Sequence, residues 1–201
     1  MMTTRRLPQS FHLNIAVLGP CGSGKSAYIV KQGIGEFQKR PVCYLSGTPV
    51  NFVVDAKRTK ASGEEEEEED DDILLSGSRF SGGYMGRVTL IRFQLPENIS
   101  TRMDAALIMF DASCPASAEA VPEFEKKTRE VLGNVPIVVR GNKNDKLVTP
   151  HEKRTIPFPT FSVKKDYVDG ILDLPLRDLI RRALGLGRRT YIIREEKYNS
   201  I

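Results

Sequence analysis

The strongest constraint on the fold is a short apolar run that ends in glycines. Asn14-Ile15-Ala16-Val17-Leu18 reads as a buried strand and passes directly into Gly19-Pro20-Cys21-Gly22-Ser23-Gly24-Lys25-Ser26. From Lys25 to about Phe37 the chain reads as a helix. Glycines let successive backbone N–H groups turn inward, and the helix presents its N-terminus to the same point, so the segment makes a concave anion site. The G-x-x-x-x-G-K-S spacing adds a lysine charge for outer phosphates and a serine hydroxyl suited to Mg²⁺. A chance match in a chain this long is on the order of 1%, which leaves a ligand-free Gly-rich turn as the weaker reading. The expected phosphate contacts are Cys21, Gly22, Ser23, Gly24, Lys25, Ser26 and Ala27, with Ser26 as the metal ligand.

The remaining pattern alternates strands and helices. Val50–Val54 and Val88–Phe93 read as strands. About thirty residues rich in charge, Gly and Ser lie between them, and a stretch of that length reads as an insertion, about 56–86. Ala105–Phe110 and Pro136–Arg140 are continuous apolar or β-branched runs, as in strands covered on both faces. Ser117–Leu132 has helical spacing and is stopped by Gly133. Asp173 is placed to cap a further helix with Pro175 in its first turn; Leu176, Leu179, Ile180, Ala183 and Leu184 form its apolar stripe, closed by Gly185. The class predicted is α/β, a mainly parallel sheet flanked by helices on both faces. One domain spans 12–186, with an N-terminal extension at 1–11 and a C-terminal tail at 187–201.

Charge and composition narrow the setting. Thirty basic against 26 acidic residues leave +4, but nine acids form the single block Glu64–Asp72, and without that block the balance is +13. Such a block repels itself and reads as a solvated loop, or as an interaction element for a basic partner. The basic remainder favours anionic partners. No apolar run approaches the roughly 20 residues that span a bilayer, and no leader for secretion is evident. Cys21, Cys43 and Cys114 are too few and scattered for a disulfide framework, so a reducing intracellular compartment, cytoplasm or nucleus, is expected. His12 and His151 stand apart from any zinc or Ser-His-Asp pattern, and no nucleic-acid signal is present.

After the run Pro136–Arg140 comes Gly141-Asn142-Lys143-Asn144-Asp145, an N-K-x-D. A carboxylate at Asp145 can accept two hydrogen bonds from the N1–H and N2–H₂ edge of guanine. Adenine lacks that donor pair and would leave the carboxylate unsatisfied. Asn142 can bond both the base and the phosphate loop, while the Lys143 stem covers the base plane. A polar turn is the bland alternative, outweighed by placement at a strand end downstream of a phosphate loop.

With these motifs the chain resembles the Ras superfamily of small GTPases, most closely the Ran family. Lys25-Ser26 followed by Gly35-Glu36-Phe37, then Ala106-Leu107-Ile108-Met109-Phe110-Asp111, Val121-Pro122, Asn134–Val139 and Gly141-Asn142-Lys143 with Asp145 follow the Ran pattern. Ser162-Val163-Lys164 is similar to the family's S-A-K loop, whose backbone N–H contacts guanine O6. The resemblance covers roughly 12–56 and 87–186. It implies a P-loop NTPase G domain that binds GTP or GDP with Mg²⁺, has GTPase activity, and acts through protein partners. Like Ran-family members, the chain ends without a cysteine to prenylate, so no membrane anchor is expected.

The same comparison exposes departures. The family's D-x-x-G and catalytic Gln should follow Val88–Phe93, where the text reads Gln94-Leu95-Pro96-Glu97-Asn98-Ile99-Ser100. The family's Mg²⁺-binding Thr falls on Tyr44, with Ser46 or Thr48 as substitutes only after a loop shift. Cys21 stands where the family often has Gly. Between Lys146 and Ser162, Pro157 and Pro159 prevent a regular helix. Phosphoryl transfer depends on placing metal, water and counter-charge, so losses of this kind compound. The expectation is guanine-nucleotide binding with weak or absent hydrolysis. Two alternatives stand beside it: a non-catalytic interaction module that keeps the fold to bind a protein partner, and a P-loop nucleoside or nucleotide kinase, which would not explain N-K-x-D.

Overall fold

The computed structural model describes residues 10–34, 37–39, 47–56, 84–147, 156–165, 174–185 and 191–195. Six strands form one sheet: β1 (Ser10–Leu18), β2 (Thr48–Ala56), β3 (Tyr84–Arg92), β4 (Ala105–Asp111), β5 (Ile137–Asn142) and β6 (Tyr191–Glu195). Their order is β5-β4-β1-β3-β2-β6. The pairs β5/β4, β4/β1 and β1/β3 are parallel, with Ile15 opposite both Ala105 and Leu90. The pairs β3/β2 and β2/β6 are antiparallel. The helices are α1 (Lys25–Ile34), α2 (Pro115–Glu119), α3 (Val121–Leu132) and α4 (Leu174–Ala183).

Alternation along the strands sorts the core into two layers, because successive side chains leave a strand on opposite faces. Leu13, Ile15 and Val17 join Ala105, Leu107 and Met109 on one face, against Tyr28 and Ile29 of α1 and Leu176, Leu179 and Ile180 of α4. Ala16, Leu18, Ala106 and Ile108 occupy the other face, against Phe124 and Leu132 of α3. This explains why Ala105–Phe110 is buried throughout: both of its faces are roofed by helices. The expected α/β class, with a mostly parallel sheet between helices, is what the chain adopts.

Several local expectations change. Ser117–Leu132 is divided into α2 and α3 rather than forming one helix. Pro122 has no N–H to donate and its ring crowds the carbonyl four residues earlier, so a helix from Pro115 cannot run through it; the same residue suits the first turn of α3. Gly133 does end α3, at φ 69, with its N–H donating to Arg129 O at 2.9 Å. β1 begins at Ser10, inside the stretch assigned to the extension, and β3 begins at Tyr84, inside the stretch assigned to the insertion. Tyr191–Glu195, in the stretch assigned to the tail, is a strand paired with β2. Residues 156–165 contain no helix, and Thr160 bridges Gly141 beside β5. Glu64–Asp72, Cys43, Tyr44, Ser46, His151 and Asp173 lie outside the described residues. No described helix is long and apolar enough to cross a membrane.

The sheet order reverses around β1: the chain runs from β1 toward β3 and β2 on one side and returns to β4 and β5 on the other. In such sheets the crevice beyond the strands' carboxyl ends at the reversal is where ligands fit. The carboxyl ends of β1, β3, β4 and β5 share one edge because these strands are parallel.

Candidate functional site

The loop after β1 is shaped by contacts that exclude side chains. Gly19 sits at φ 135, and a Cβ there would lie 1.9 Å from Met109 O of β4. Gly24, at φ 95, approaches so closely that a Cβ would fall 2.2 Å from the Asn142 side-chain nitrogen. Inside the loop the Lys25 ammonium donates to Gly19 O at 2.7 Å and Pro20 O at 2.8 Å. Burial pushes its pKa below the usual lysine range; the nearby Cys21 thiol opposes that shift and the Arg92 guanidinium adds to it. Ser23 is fully buried, and its Oγ has no hydrogen-bond partner among the described residues. Cys21 and Gly22 are exposed at the mouth. Ala27 packs against the main core, so only its backbone is placed to serve a ligand.

The end of β5 supplies the second part. Asn142 is 3% exposed and bridges three segments. Its Nδ2 donates to Ser23 O at 2.9 Å, and its Oδ1 accepts from the backbone N–H of Lys143 at 2.7 Å and of Val163 at 3.0 Å. Lys143 holds φ 66 and ψ 33, the left-handed region that a non-glycine residue adopts at some cost, and is alone among described non-glycine residues in having positive φ. Its ammonium lies 2.6 Å from Asp111 Oδ2 at the end of β4. Burial works against ionisation of Asp111, but hydrogen bonds from Lys143 and Ser113 outweigh it and hold the carboxyl below its usual range.

The third part is the loop at 162–165. Phe161 N donates to Gly141 O at 2.7 Å and Gly141 N donates to Pro159 O at 3.0 Å, which pins this loop to β5. The buried hydroxyl of Ser162 donates to Asp145 Oδ1 at 2.7 Å and lowers the Asp145 pKa. Asp145 is therefore a carboxylate at neutral pH, with Oδ1 fixed by Ser162. Lys31 of α1 donates to Val163 O, and Tyr28 of the same helix packs edge-on against Phe161 at 6.0 Å. Lys164 is exposed. The three sequence-predicted motifs thus converge on one edge, with the glycine loop and its lysine at one end and a carboxylate at the other. A separate cavity of about 500 Å³, lined by Ala112, Pro115, Leu147, Ile156 and Phe158 among others, contains none of the motif residues.

Ser26, the expected metal ligand, is engaged by a cation. Its Oγ accepts an N–H from Arg92 Nη1, at the end of β3, at 2.8 Å. Mg²⁺ demands near-octahedral oxygen ligands and is usually held through one or two carboxylates together with substrate phosphates. Here a cation donates to Ser26, and the described carboxylates at the ends of β4 and β5 are engaged elsewhere: Asp111 with Lys143, and Asp145 with Ser162. Glu97 pairs with Lys127 of α3 at 3.5 Å. Among the described residues no group of three or more His, Cys, Asp or Glu could hold a metal. The described pair at this point, a serine hydroxyl beside a guanidinium, does not by itself fit a divalent cation. Thr48, a proposed substitute ligand, is the first residue of β2, opposite Leu90. Gln94 is exposed beyond β3.

Sequence reasoning missed Arg92, Asp111 and Lys31. A basic residue ending the strand next to the glycine loop is the signal that could have found Arg92; the contacts of Asp111 with Lys143 and of Lys31 with Val163 are to residues distant in the chain. No protein-family model matches the chain.

Proposed function

We propose that this chain is a guanine-nucleotide-binding protein with a P-loop G-domain fold, similar to Ran-family small GTPases, which binds GTP or GDP and hydrolyses GTP slowly or not at all. The observation that carries this reading is Asn142. One buried amide ties Ser23 of the phosphate loop to the backbone of Lys143 and Val163, so the phosphate cradle and the base-reading loops form one unit. The Lys25 ammonium, held by two carbonyls, keeps a third N–H for a phosphate oxygen. The ionised Asp145 carboxylate suits the paired donors of guanine, and the Val163 loop is bonded to the Asn142 amide.

Weak hydrolysis is supported by what occupies the end of β3. Glu97 is directed to Lys127 of α3, and Arg92, a cation, donates to Ser26 Oγ. These two contacts also favour a second reading, a non-switching module whose bound nucleotide stabilises a surface for a protein partner. In both readings the chain works inside the cell, in cytoplasm or nucleus, which its exposed free thiols Cys21 and Cys114 suit.

The test is to denature the purified protein, identify any co-purified nucleotide, and titrate GTP, GDP and ATP. Guanine nucleotide bound in preference to ATP, with GTP persisting over single-turnover times, is expected. Equal affinity for ATP, or no affinity for any nucleotide, would overturn the assignment. Binding of a partner equally in GTP, GDP and nucleotide-free forms would select the second reading.

A further inference from the structure

Arg92 stands where a metal-assisted phosphate site needs the opposite charge. It ends β3, one of four parallel strands whose carboxyl ends meet at the phosphate loop, and its Nη1 donates to Ser26 Oγ at 2.8 Å. Ser26 follows Lys25, whose ammonium is seated on Gly19 O and Pro20 O. Two cations therefore flank one loop, and the field of Arg92 reaches Lys25. Arg92 is exposed, and its guanidinium keeps N–H donors beyond the one given to Ser26.

We infer that Arg92 takes the place of the divalent cation in this site: its guanidinium, anchored on Ser26, neutralises the outer phosphate oxygens of a bound nucleoside di- or triphosphate, and binding is independent of Mg²⁺. This rests on the phosphate-site assignment above. The chemistry is adequate for the task. A planar guanidinium presents parallel N–H donors that match two phosphate oxygens, with less desolvation cost than an ammonium. Repulsion between Lys25 and Arg92 in the empty loop is relieved by the anion, which adds to the preference for a polyphosphate. A divalent cation would have to displace the Arg92 hydrogen bond from Ser26 and sit beside two positive charges.

The experiment is a fluorescence titration of a labelled GDP and GTP on the full chain, in EDTA and in millimolar MgCl₂ at matched ionic strength. Wild-type affinity is expected to differ by less than about threefold between the two buffers, a shift too small to be a lost ligand contact. Arg92→Ala should weaken binding about 10- to 100-fold in both buffers, the size of one or two charge-assisted hydrogen bonds. Arg92→Lys, which keeps the charge without the fork and guards against misfolding of the alanine variant, should fall between. A wild-type protein that loses about tenfold or more in EDTA, or an Arg92→Ala protein that binds like wild type, overturns the inference. Guanine preference combined with strong Mg²⁺ dependence would overturn metal independence alone. Absence of binding in both buffers would overturn the phosphate-site assignment together with it.

Discussion

Asn142→Ala should destabilise the nucleotide-free protein by about 3 kcal/mol, and the number follows from what the amide leaves behind. Asn142 is 3% exposed and satisfies three backbone groups: Ser23 O at 2.9 Å, Lys143 N–H at 2.7 Å and Val163 N–H at 3.0 Å. A buried polar group without a partner costs about 1–3 kcal/mol, so three give a gross penalty of about 3–9 kcal/mol. The lower end applies, because the vacated space is polar and adjoins the half-buried Lys143, and water bridging the freed groups offsets part of the penalty. Lys143 also holds its left-handed backbone against an intrinsic cost of about 1 kcal/mol, with its own N–H fixed by this amide.

Urea unfolding of the nucleotide-free chain reads the effect directly. With a slope of about 2 kcal/mol/M the midpoint should fall by about 1.5 M, the slope itself unchanged. Hydrogen exchange supplies a site-specific check, since the amides of Lys143 and Val163 should lose protection before the rest of β5 does. Arg129→Ala is the control: its pair with Glu125, at 2.8 Å, is of similar length, yet should be worth less than about 0.5 kcal/mol. A loss below about 1 kcal/mol for Asn142→Ala, with protection retained at both amides, would refute the view that this residue clamps the three segments together.

Further outcomes follow from the same site. Gly24→Ala should cost about 2–4 kcal/mol, because its Cβ would collide with the Asn142 amide at φ 95, whereas Gly22→Ala, at φ 78 with open space around it, should cost only about 1 kcal/mol of backbone strain in the same urea assay. Asp145→Asn sets an amide N–H against the donors of guanine; GDP affinity should fall about 100-fold or more and xanthosine diphosphate, which offers an acceptor there, should bind better than GDP in competition titrations. The Asp111 carboxyl lies below its usual value of 3.8, so the stabilisation it gives is fully present above about pH 4 and lost as pH falls through its lower folded value; the stability gap between wild type and Asp111→Asn should close at acid pH in denaturation series. Asp145 is lowered too, so guanine affinity should stay level from about pH 8 down to about pH 5, and a decline within that range would contradict its assignment as the ionised acceptor.

The elements legible in the sequence are those fixed by local chemistry. Continuous apolar runs announce β4 and β5 because both faces of those strands are covered, and the glycine spacing announces the loop because backbone must approach Met109 O and the Asn142 amide where no Cβ fits. What was not legible depends on partners far along the chain. β6 carries Arg194 and Glu195 and gives a weak apolar signal; its strand character comes from pairing with β2, about 140 residues earlier, and charged positions of this kind suit a sheet edge. The break between α2 and α3 was hidden because the apolar spacing continues across it, and Pro122 reads equally well as an interior flaw or as the start of a new helix.

The same distinction bears on how this site should be read chemically. The phosphate loop and the N-K-x-D segment can be recognised residue by residue, since each contact they offer is made by the motif's own backbone or side chains. The state of the third wall of the site, at the end of β3, is a matter of charge sign in space. An arginine closing an edge of a strand is ordinary in a sequence; at 2.8 Å from the hydroxyl that follows the loop lysine, it reverses the electrostatics there. A carboxylate at that point would attract a divalent cation and its water, and would register whether a terminal phosphate is present. A guanidinium attracts the phosphates themselves, in diphosphate and triphosphate alike. Under the proposed function, binding and switching are thereby separable: Asn142, Lys25 and Asp145 would hold the nucleotide, while the position that would respond to its hydrolysis carries a positive charge.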